Sequence, residues 1–226
     1  MPDIKALTAI AADRLAAVAD ADKAVAMAAY MKTDMAFYGV QKAGRTPVMR
    51  EIGRDFPPAT NDGYREAVRA LWALPHREEK YLALGYARKF GDYVTGRNLD
   101  LYRRLITEGA WWDLVDETAV HLVGHVLRGR RDRTSSTIRS WNEDPDLWLR
   151  RTSIICQVGH KEDTDRHLLF AMCTPRLEEK DFFIRKAIGW ALRDYAKTDP
   201  AAVRGYVTAH RAAMSGLSYR EATKHL

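Results

Sequence analysis

The chain has 226 residues and a hydrophobic fraction of 46%, enough for one large domain or two small ones around a sizeable core. Its net charge of +6 is consistent with a nucleic-acid partner, and no apolar run of about 18 residues is present, which argues against a membrane span. Cys156 and Cys173 lie in apolar runs and fit neither a zinc pair nor a disulfide framework, so we expect buried free thiols in a reducing cytoplasm.

Helical periodicity dominates the chain, and period-2 strand patterns are nearly absent. The N-terminal stretch MPDIKALTAIAADRLAAVADADK carries acids and has the pattern of a helix, not that of a signal peptide. Cap–proline pairs and one capping box predict helix starts at Thr46-Pro47, Asp144-Pro145, Asp199-Pro200 and Ser218 with Glu221. The predicted helices are 3–19, 21–31, 46–55, 61–74, 77–90, 99–108, 112–128, 133–142, 145–158, 164–178, 181–198, 200–213 and 218–225.

The connections between these helices are short, and no linker divides the chain, so we predict a single all-α domain over residues 1–226. Trp112, Arg151 and Trp190 recur at intervals of 39 residues. A period near 40 is typical of HEAT or armadillo helical pairs, in which residues one period apart line up on one face. The spacing therefore predicts an α-α superhelix, or solenoid, of HEAT-like repeats with these three residues along its concave face.

The segment 109-GAWWDLVDET-118 combines two indoles with three carboxylates near a predicted helix start. Trp112 and Asp116 are four residues apart and share a helix face. In a purely structural interpretation, Trp112 is half-buried, Asp116 interacts with the helix dipole and Arg151 is its ion-pair partner. Asp113, on the other side of the turn, fits the dipole role better.

A functional interpretation of the same residues starts from the transition state of N-glycosidic bond cleavage. The sugar becomes oxocarbenium-like, and aromatic faces together with a preorganised carboxylate stabilise such a cation. An alkylated purine is already cationic and leaves without protonation, so one carboxylate and a water molecule suffice. Burial would raise the pKa of Asp116 and Arg151 would lower it; we expect Arg151 to prevail. Gly189, next to Trp190, allows a close approach.

Three stretches then resemble one known family: WWDLVD (111–116), DLWLRRTSIICQ (146–157) and FFIRKAIGWALRDYAKTDP (182–200). The terminal SYREATKHL (218–226) and, more loosely, AAYMKTDMAFYGVQKAGR (28–45) fit as well. They are similar to the DNA alkylation repair family of HEAT-like-repeat DNA glycosylases, the AlkD type. The resemblance implies a helical solenoid whose concave basic cleft holds duplex DNA. It also implies hydrolytic release of cationic N3- and N7-alkylated purines. It implies a monofunctional enzyme that uses neither metal nor cofactor.

The resemblance assigns roles residue by residue. It implies that Asp116 is the catalytic carboxylate, with Trp112 and Trp190 as its aromatic companions. Arg151 matches the phosphate-contacting arginine, and Arg193, one turn beyond Trp190, assists it. Tyr30 and Gln41 fall among the cleft residues that bind DNA. Independently of the resemblance, the charge-rich turn 160–166 offers Lys161 as a contact to a backbone phosphate.

Two other function classes stay open on the sequence: a HEAT-type DNA-binding protein without catalysis and a protein scaffold. Only the glycosylase gives a role to Asp116, Trp112, Trp190 and Arg151 together. His121 and His125 have a zinc-like i, i+4 spacing, but the glutamate of a metalloprotease helix and a third ligand are missing, so we expect no metal site. We further expect a cytoplasmic, nucleoid-associated monomer that binds double-stranded DNA containing alkylated bases.

Overall fold

A computed structural model describes residues 2–226, which form helices and contain no strand. The chain divides into two compact units, the first ending at Val94 and the second covering Thr95–Leu226. In the first unit the α-helices are α1 (Ile4–Ala16), α2 (Ala21–Met31), α3 (Lys42–Asp55), α4 (Asn61–Ala73) and α5 (Arg77–Lys89). The all-α prediction is confirmed. None of the helices in the described part of the chain is long and apolar enough to cross a membrane.

The second unit contains the helices on which most of the candidate site residues lie. They are α6 (Leu99–Gly109), α7 (Trp112–Thr118), α8 (Gly124–Gly129), α9 (Arg131–Asn142), α10 (Leu147–Ile155), α11 (Arg166–Cys173), α12 (Phe182–Ala196), α13 (Pro200–Ala209) and α14 (Gly216–Ala222). A π-helical turn, Ala119–Val123, joins α7 to α8. Short 3₁₀ turns lie at Gly91–Tyr93, Gly96–Asn98, Lys161–Asp163 and Thr174–Arg176.

Aspartate caps begin several of these helices. The predicted start at Asp199-Pro200 is confirmed, since Asp199 accepts the Ala202 N–H at 2.9 Å and α13 begins at the proline. The predicted start at Asp144-Pro145 is wrong by two residues. Asp146 caps α10 by accepting from Trp148 N at 2.8 Å, and Asp144 instead accepts the Asp146 N–H at 2.9 Å.

Two further predicted helix starts are wrong. Thr46-Pro47 lies inside α3, which begins at Lys42, and the Thr46 hydroxyl donates to the Lys42 carbonyl at 2.8 Å. Ser218 is not a cap either: α14 begins at Gly216, and the Ser218 N–H donates to the Ser215 hydroxyl at 3.0 Å. In both cases the cap lies a few residues before the one that the sequence pattern suggested.

The helices repeat with a period of 35 residues, so the predicted period near 40 is wrong. The N-cap residues of α3, α5, α7, α10 and α12 follow one another at this interval: Gln41, His76, Trp111, Asp146 and Asp181. Trp112, Arg151 and Trp190, which suggested the longer period, are the first, fifth and ninth residues of their helices. The repeat itself, a helix pair of about this length, agrees with the predicted class of fold.

Apolar side chains of the paired helices form the core of the second unit. Leu114, Val115 and Leu149 are fully buried, and α10 packs against α7, α9 and α12. Trp141 and Trp148 are buried as well and belong to this core. Cys156 and Cys173 are free and buried, as predicted, and burial raises the pKa of both thiols to about 12.

Helix α12 and the C-terminal helix α14 pack closely at Gly189. A methyl group at this position would lie 2.4 Å from Glu221 Cβ and 3.2 Å from the Ser218 carbonyl oxygen. The close approach that the sequence analysis expected beside Trp190 is therefore made by α14. Because the first neighbour is a Cβ close to its own backbone, α14 itself must move when a side chain is added at position 189.

Gly189→Ala is expected to destabilise the protein by about 1–3 kcal/mol, the usual cost of overpacking a tight contact. Gly205→Ala in α13 is the matched control, because nothing lies within 4 Å of an added methyl group there. In an exposed helix this control should be stabilising by about 0.5–1 kcal/mol. Urea unfolding of both variants measures the difference, and equal stability of the two would contradict close packing of α14 on α12.

Candidate functional site

The segment GAWWDLVDET forms the start of α7, as the sequence analysis predicted. Trp111 is the N-cap residue, Asp113 lies in the first turn, and Trp112 and Asp116 share a face of the helix. The predicted helix over 112–128 is interrupted after Thr118 by the π-helical turn. Such turns are frequent at functional sites.

Asp116 and Arg151 form a bidentate ion pair. Arg151 Nε donates to Asp116 Oδ1 at 2.7 Å, and Arg151 Nη2 donates to Oδ2 at 2.8 Å. Both residues are fifth in their helices, α7 and α10, so the pair joins equivalent positions of two neighbouring repeats. The third nitrogen, Nη1, donates to the Phe183 carbonyl at 2.6 Å. The guanidinium is thus fixed from three directions.

The two partners are buried to different extents, and burial determines the direction in which the pKa of Asp116 shifts. The Arg151 side chain is 4% exposed and that of Asp116 is 18% exposed, so only the carboxylate reaches the surface. Burial raises the pKa of Asp116 above its ordinary value, although the Arg151 guanidinium acts in the opposite direction and Asp113 adds a small repulsion. The expectation that Arg151 would prevail over burial is therefore wrong.

An aromatic cluster stands beside this ion pair. The Trp148 and Phe183 ring centroids are 4.8 Å apart, and that of Trp111 is 5.4 Å from Phe183. The Arg151 guanidinium carbon lies 5.9 Å from the centroid of the Phe183 ring. Phe183 thus supports the site through both its carbonyl and its ring. Phe183 is not among the site residues predicted from the sequence, although it lies 35 residues after Trp148, at the same position of its helix.

Trp112 and Trp190 are partly exposed, as expected for indoles that are not part of the core. Trp190 lies on the face of α12 that also carries Lys186 and Arg193, four residues before it and three after. Across this face lies Glu221 of α14, which accepts from Lys186 Nζ at 2.7 Å and from Arg193 Nη1. Lys186, followed by Arg193, lowers the pKa of Glu221.

The three residues proposed to contact phosphates differ in exposure and in the partners that their cationic groups already have. Arg151 is buried and its nitrogens point at Asp116 and Phe183, which makes it a support for the carboxylate. Arg193 is 24% exposed and paired with Glu221. Lys161 is exposed and stands in a left-handed conformation, with φ of 53°, in the 3₁₀ turn after α10. Lys161 is thus the most accessible of the three cations.

Tyr30 and Gln41 lie in the first unit, where both line one surface cavity of about 260 Å³. Lys23, Met27 and Phe37 line it with them. The ring of Tyr30 is 73% exposed, and its helix, α2, has no buried residue. The structure thus brings these two residues together, and their role in DNA binding stays a prediction.

The two histidines with zinc-like spacing lie in the π-helical turn and in α8, just after the helix that carries Asp116. His121 Nε2 is 3.6 Å from Glu117 Oε2, and His125 is exposed. Among residues 2–226, no group of three or more His, Cys, Asp or Glu side chains is arranged to hold a metal ion.

All of the candidate site residues lie in the part of the chain that matches a known protein family. The model of a family described as DNA alkylation repair enzyme matches residues 11–226. Among solved structures, the chain is similar to a protein from Enterococcus faecalis described as a predicted DNA alkylation repair enzyme, with a TM-score of 0.85. The two are 25% identical over 92% of this chain and 96% of that chain. No curated protein sequence matches the chain.

Proposed function

This chain belongs to the DNA alkylation repair enzyme family, and on that premise we propose that it is a DNA glycosylase. The proposed reaction is hydrolysis of the N-glycosidic bond of cationic N3- and N7-alkylated purines in duplex DNA. The proposal treats residues 1–226 as one monofunctional glycosylase domain. A single observation carries it: a partly exposed carboxylate, Asp116, is held on both oxygens by a buried guanidinium and shares a helix face with the partly exposed Trp112.

In this mechanism Asp116 acts on the sugar. The bond between C1′ and the purine nitrogen breaks, and its electron pair leaves with the base, which becomes neutral because it was cationic before. The oxocarbenium-like sugar is stabilised by the carboxylate and by the indole faces of Trp112 and Trp190. A water molecule oriented by Asp116 adds to C1′ and loses a proton to solvent. Arg151 positions the carboxylate and does not touch the sugar.

The decisive experiment is a base-release assay. The protein is incubated with duplex DNA that contains N7-methylguanine, and the free base is separated and quantified. An unmodified duplex of the same sequence is the control, because a neutral guanine lacks the charge that makes the base leave without protonation. Release of N7-methylguanine alone supports the proposal. Tight binding to the modified duplex without release of the base would favour a DNA-binding protein without catalysis.

Trp112→Ala and Trp190→Ala are each expected to lower base release by roughly 2- to 30-fold, with a small change in stability. The reason is that each indole is partly exposed and its proposed contribution, about 0.5–2 kcal/mol of cation stabilisation, arises in the transition state. Trp148→Ala is the matched control: this indole is 7% exposed, so its loss should cost about 3–5 kcal/mol of folding stability. Single-turnover kinetics and thermal unfolding measure the two effects. A Trp112 or Trp190 variant that unfolds as readily as the Trp148 variant would assign that indole to the core.

A further inference from the structure

Three cations of the second unit stand near the proposed site, and they differ in what they can reach. Arg151 is the fifth residue of α10 and is directed at Asp116. One repeat further, the fifth residue of α12 is Lys186, whose side chain is 38% exposed, and Arg193 on the same face is 24% exposed. Of these three cations, the two with access to solvent are therefore on α12, beside Trp190.

Glu221 holds both of these cations at once. Its Oε1 accepts from Lys186 Nζ at 2.7 Å and its Oε2 accepts from Arg193 Nη1, while its Cβ occupies the space left free by Gly189. Two cations and one carboxylate leave one net positive charge. A lysine has three donors and an arginine five, so most of their N–H groups are not used by Glu221.

We propose that Lys186, together with Arg193, contacts the phosphates of the DNA backbone beside the lesion, and that Glu221 holds the two cations on this face and reduces their net charge. The inference rests on the proposed function for the identity of the ligand. The phosphate contact predicted for Arg151, with Arg193 assisting, is thereby assigned to Lys186 together with Arg193. The physical reason is access: a guanidinium that is 4% exposed and directed at a carboxylate cannot neutralise a phosphate without leaving Asp116 unpaired.

Binding of undamaged duplex DNA across a salt titration tests the proposal without any base release. Lys186→Gln is expected to make the slope of log K against log salt shallower by about 1 and to weaken binding about 5- to 10-fold at 0.1 M salt. Lys186→Arg should keep both values. Lys197→Gln is the matched control, since Lys197 is the C-cap residue of the same helix, is 60% exposed and is paired with Asp194. This variant should bind DNA like the parent protein.

Glu221→Gln tests the same proposal with an expected change in DNA affinity opposite to that of Lys186→Gln. Removing the carboxylate charge leaves two uncompensated cations, so binding should tighten several-fold and the salt slope should become steeper. If Glu221→Gln instead acted only by disturbing the packing of α14, the variant would bind DNA more weakly than the parent protein. Unchanged binding by Lys186→Gln, or weaker binding by both variants, would overturn the proposal and leave the Lys186–Glu221 contact a purely structural ion pair.

The outcomes separate this inference from the proposed function. If the parent protein binds duplex DNA with the expected dependence on Lys186 but releases no alkylated base, the glycosylase proposal fails and the phosphate contact stands. If the parent protein releases the base and Lys186→Gln binds and reacts like it, the glycosylase proposal stands and the phosphate contact fails.

Discussion

Replacement of Asp116 by asparagine is expected to lower single-turnover release of N7-methylguanine by on the order of 10²-fold or more, the effect of losing one preorganised electrostatic group. Asparagine keeps the shape of the side chain and removes its charge, so the sugar cation loses its counter-charge. Asp113→Asn is the control, because Asp113 lies in the first turn of the same helix, whereas the bidentate contact of Arg151 is made with the two oxygens of Asp116. Near-normal release by the Asp116 variant would refute the mechanism, and equal losses in both variants would refute the assignment to Asp116.

Asp116→Asn is also expected to lower the stability of the protein, an effect that the sequence did not indicate. It leaves the Arg151 guanidinium, 4% exposed, without its counter-ion, and an unpaired buried charge typically costs about 3–5 kcal/mol. The amide oxygen of asparagine can still accept one of the two hydrogen bonds, which should reduce this loss. Activity must therefore be measured well below the melting temperature of the variant, with circular dichroism as the check that α-helix content is unchanged.

Replacement of Arg151 by glutamine is expected to give the second large effect. The carboxylate of Asp116 would stay mostly buried without its cation, so we expect the free energy of unfolding to fall by about 3–5 kcal/mol and base release to fall about tenfold or more. Arg150→Gln is the matched control: the neighbouring arginine, 17% exposed, pairs with Glu179 and does not contact Asp116. It should retain the activity of the parent protein.

The pH dependence of Arg151→Gln distinguishes a positioning role from simple loss of stability. Burial already raises the pKa of Asp116 above 3.8, and Arg151 opposes this rise. Because the ionised carboxylate is the active form, base release is present above this pKa and is lost as the pH falls through it. Without Arg151 the pKa rises further, so the loss should begin at a higher pH than in the parent protein. A variant with reduced activity and an unshifted pH profile would contradict the role of Arg151 in keeping Asp116 ionised.

Helix bounds were predicted best from the sequence where a single side-chain cap determines the start of the helix. The helices at 21–31 and 61–74 match α2 and, within one residue, α4 because side-chain caps mark their starts: Asp20 accepts the Lys23 N–H and Thr60 accepts the Gly63 N–H, each three residues on. Prediction was less successful where several capping residues compete within one short stretch. Asp144 and Asp146 both precede α10, and only the three-dimensional path of the chain selects Asp146.

The repeat length illustrates a different difficulty. Three conspicuous residues at equal spacing suggested 39, whereas helix starts recur every 35 residues. Conspicuous side chains need not occupy equivalent positions of successive helices. The better signal in the sequence was the series of residues 111, 146 and 181, which begin α7, α10 and α12, and the series Asp116, Arg151 and Lys186 five residues later.

The sequence by itself determined the helical class and the family resemblance. It also identified Asp116, Trp112, Arg151 and Trp190 as one candidate set, because residue types, helical periodicity and matching stretches can be compared without the fold. Only the tertiary structure decided how the members are used. The partner of Arg151 depends on its burial against α7 and α12, because burial directs its N–H donors to Asp116 and to the Phe183 carbonyl. The direction of the Asp116 pKa shift follows from the same burial, because the cost of desolvating a charge depends on every neighbouring group and no local pattern records it.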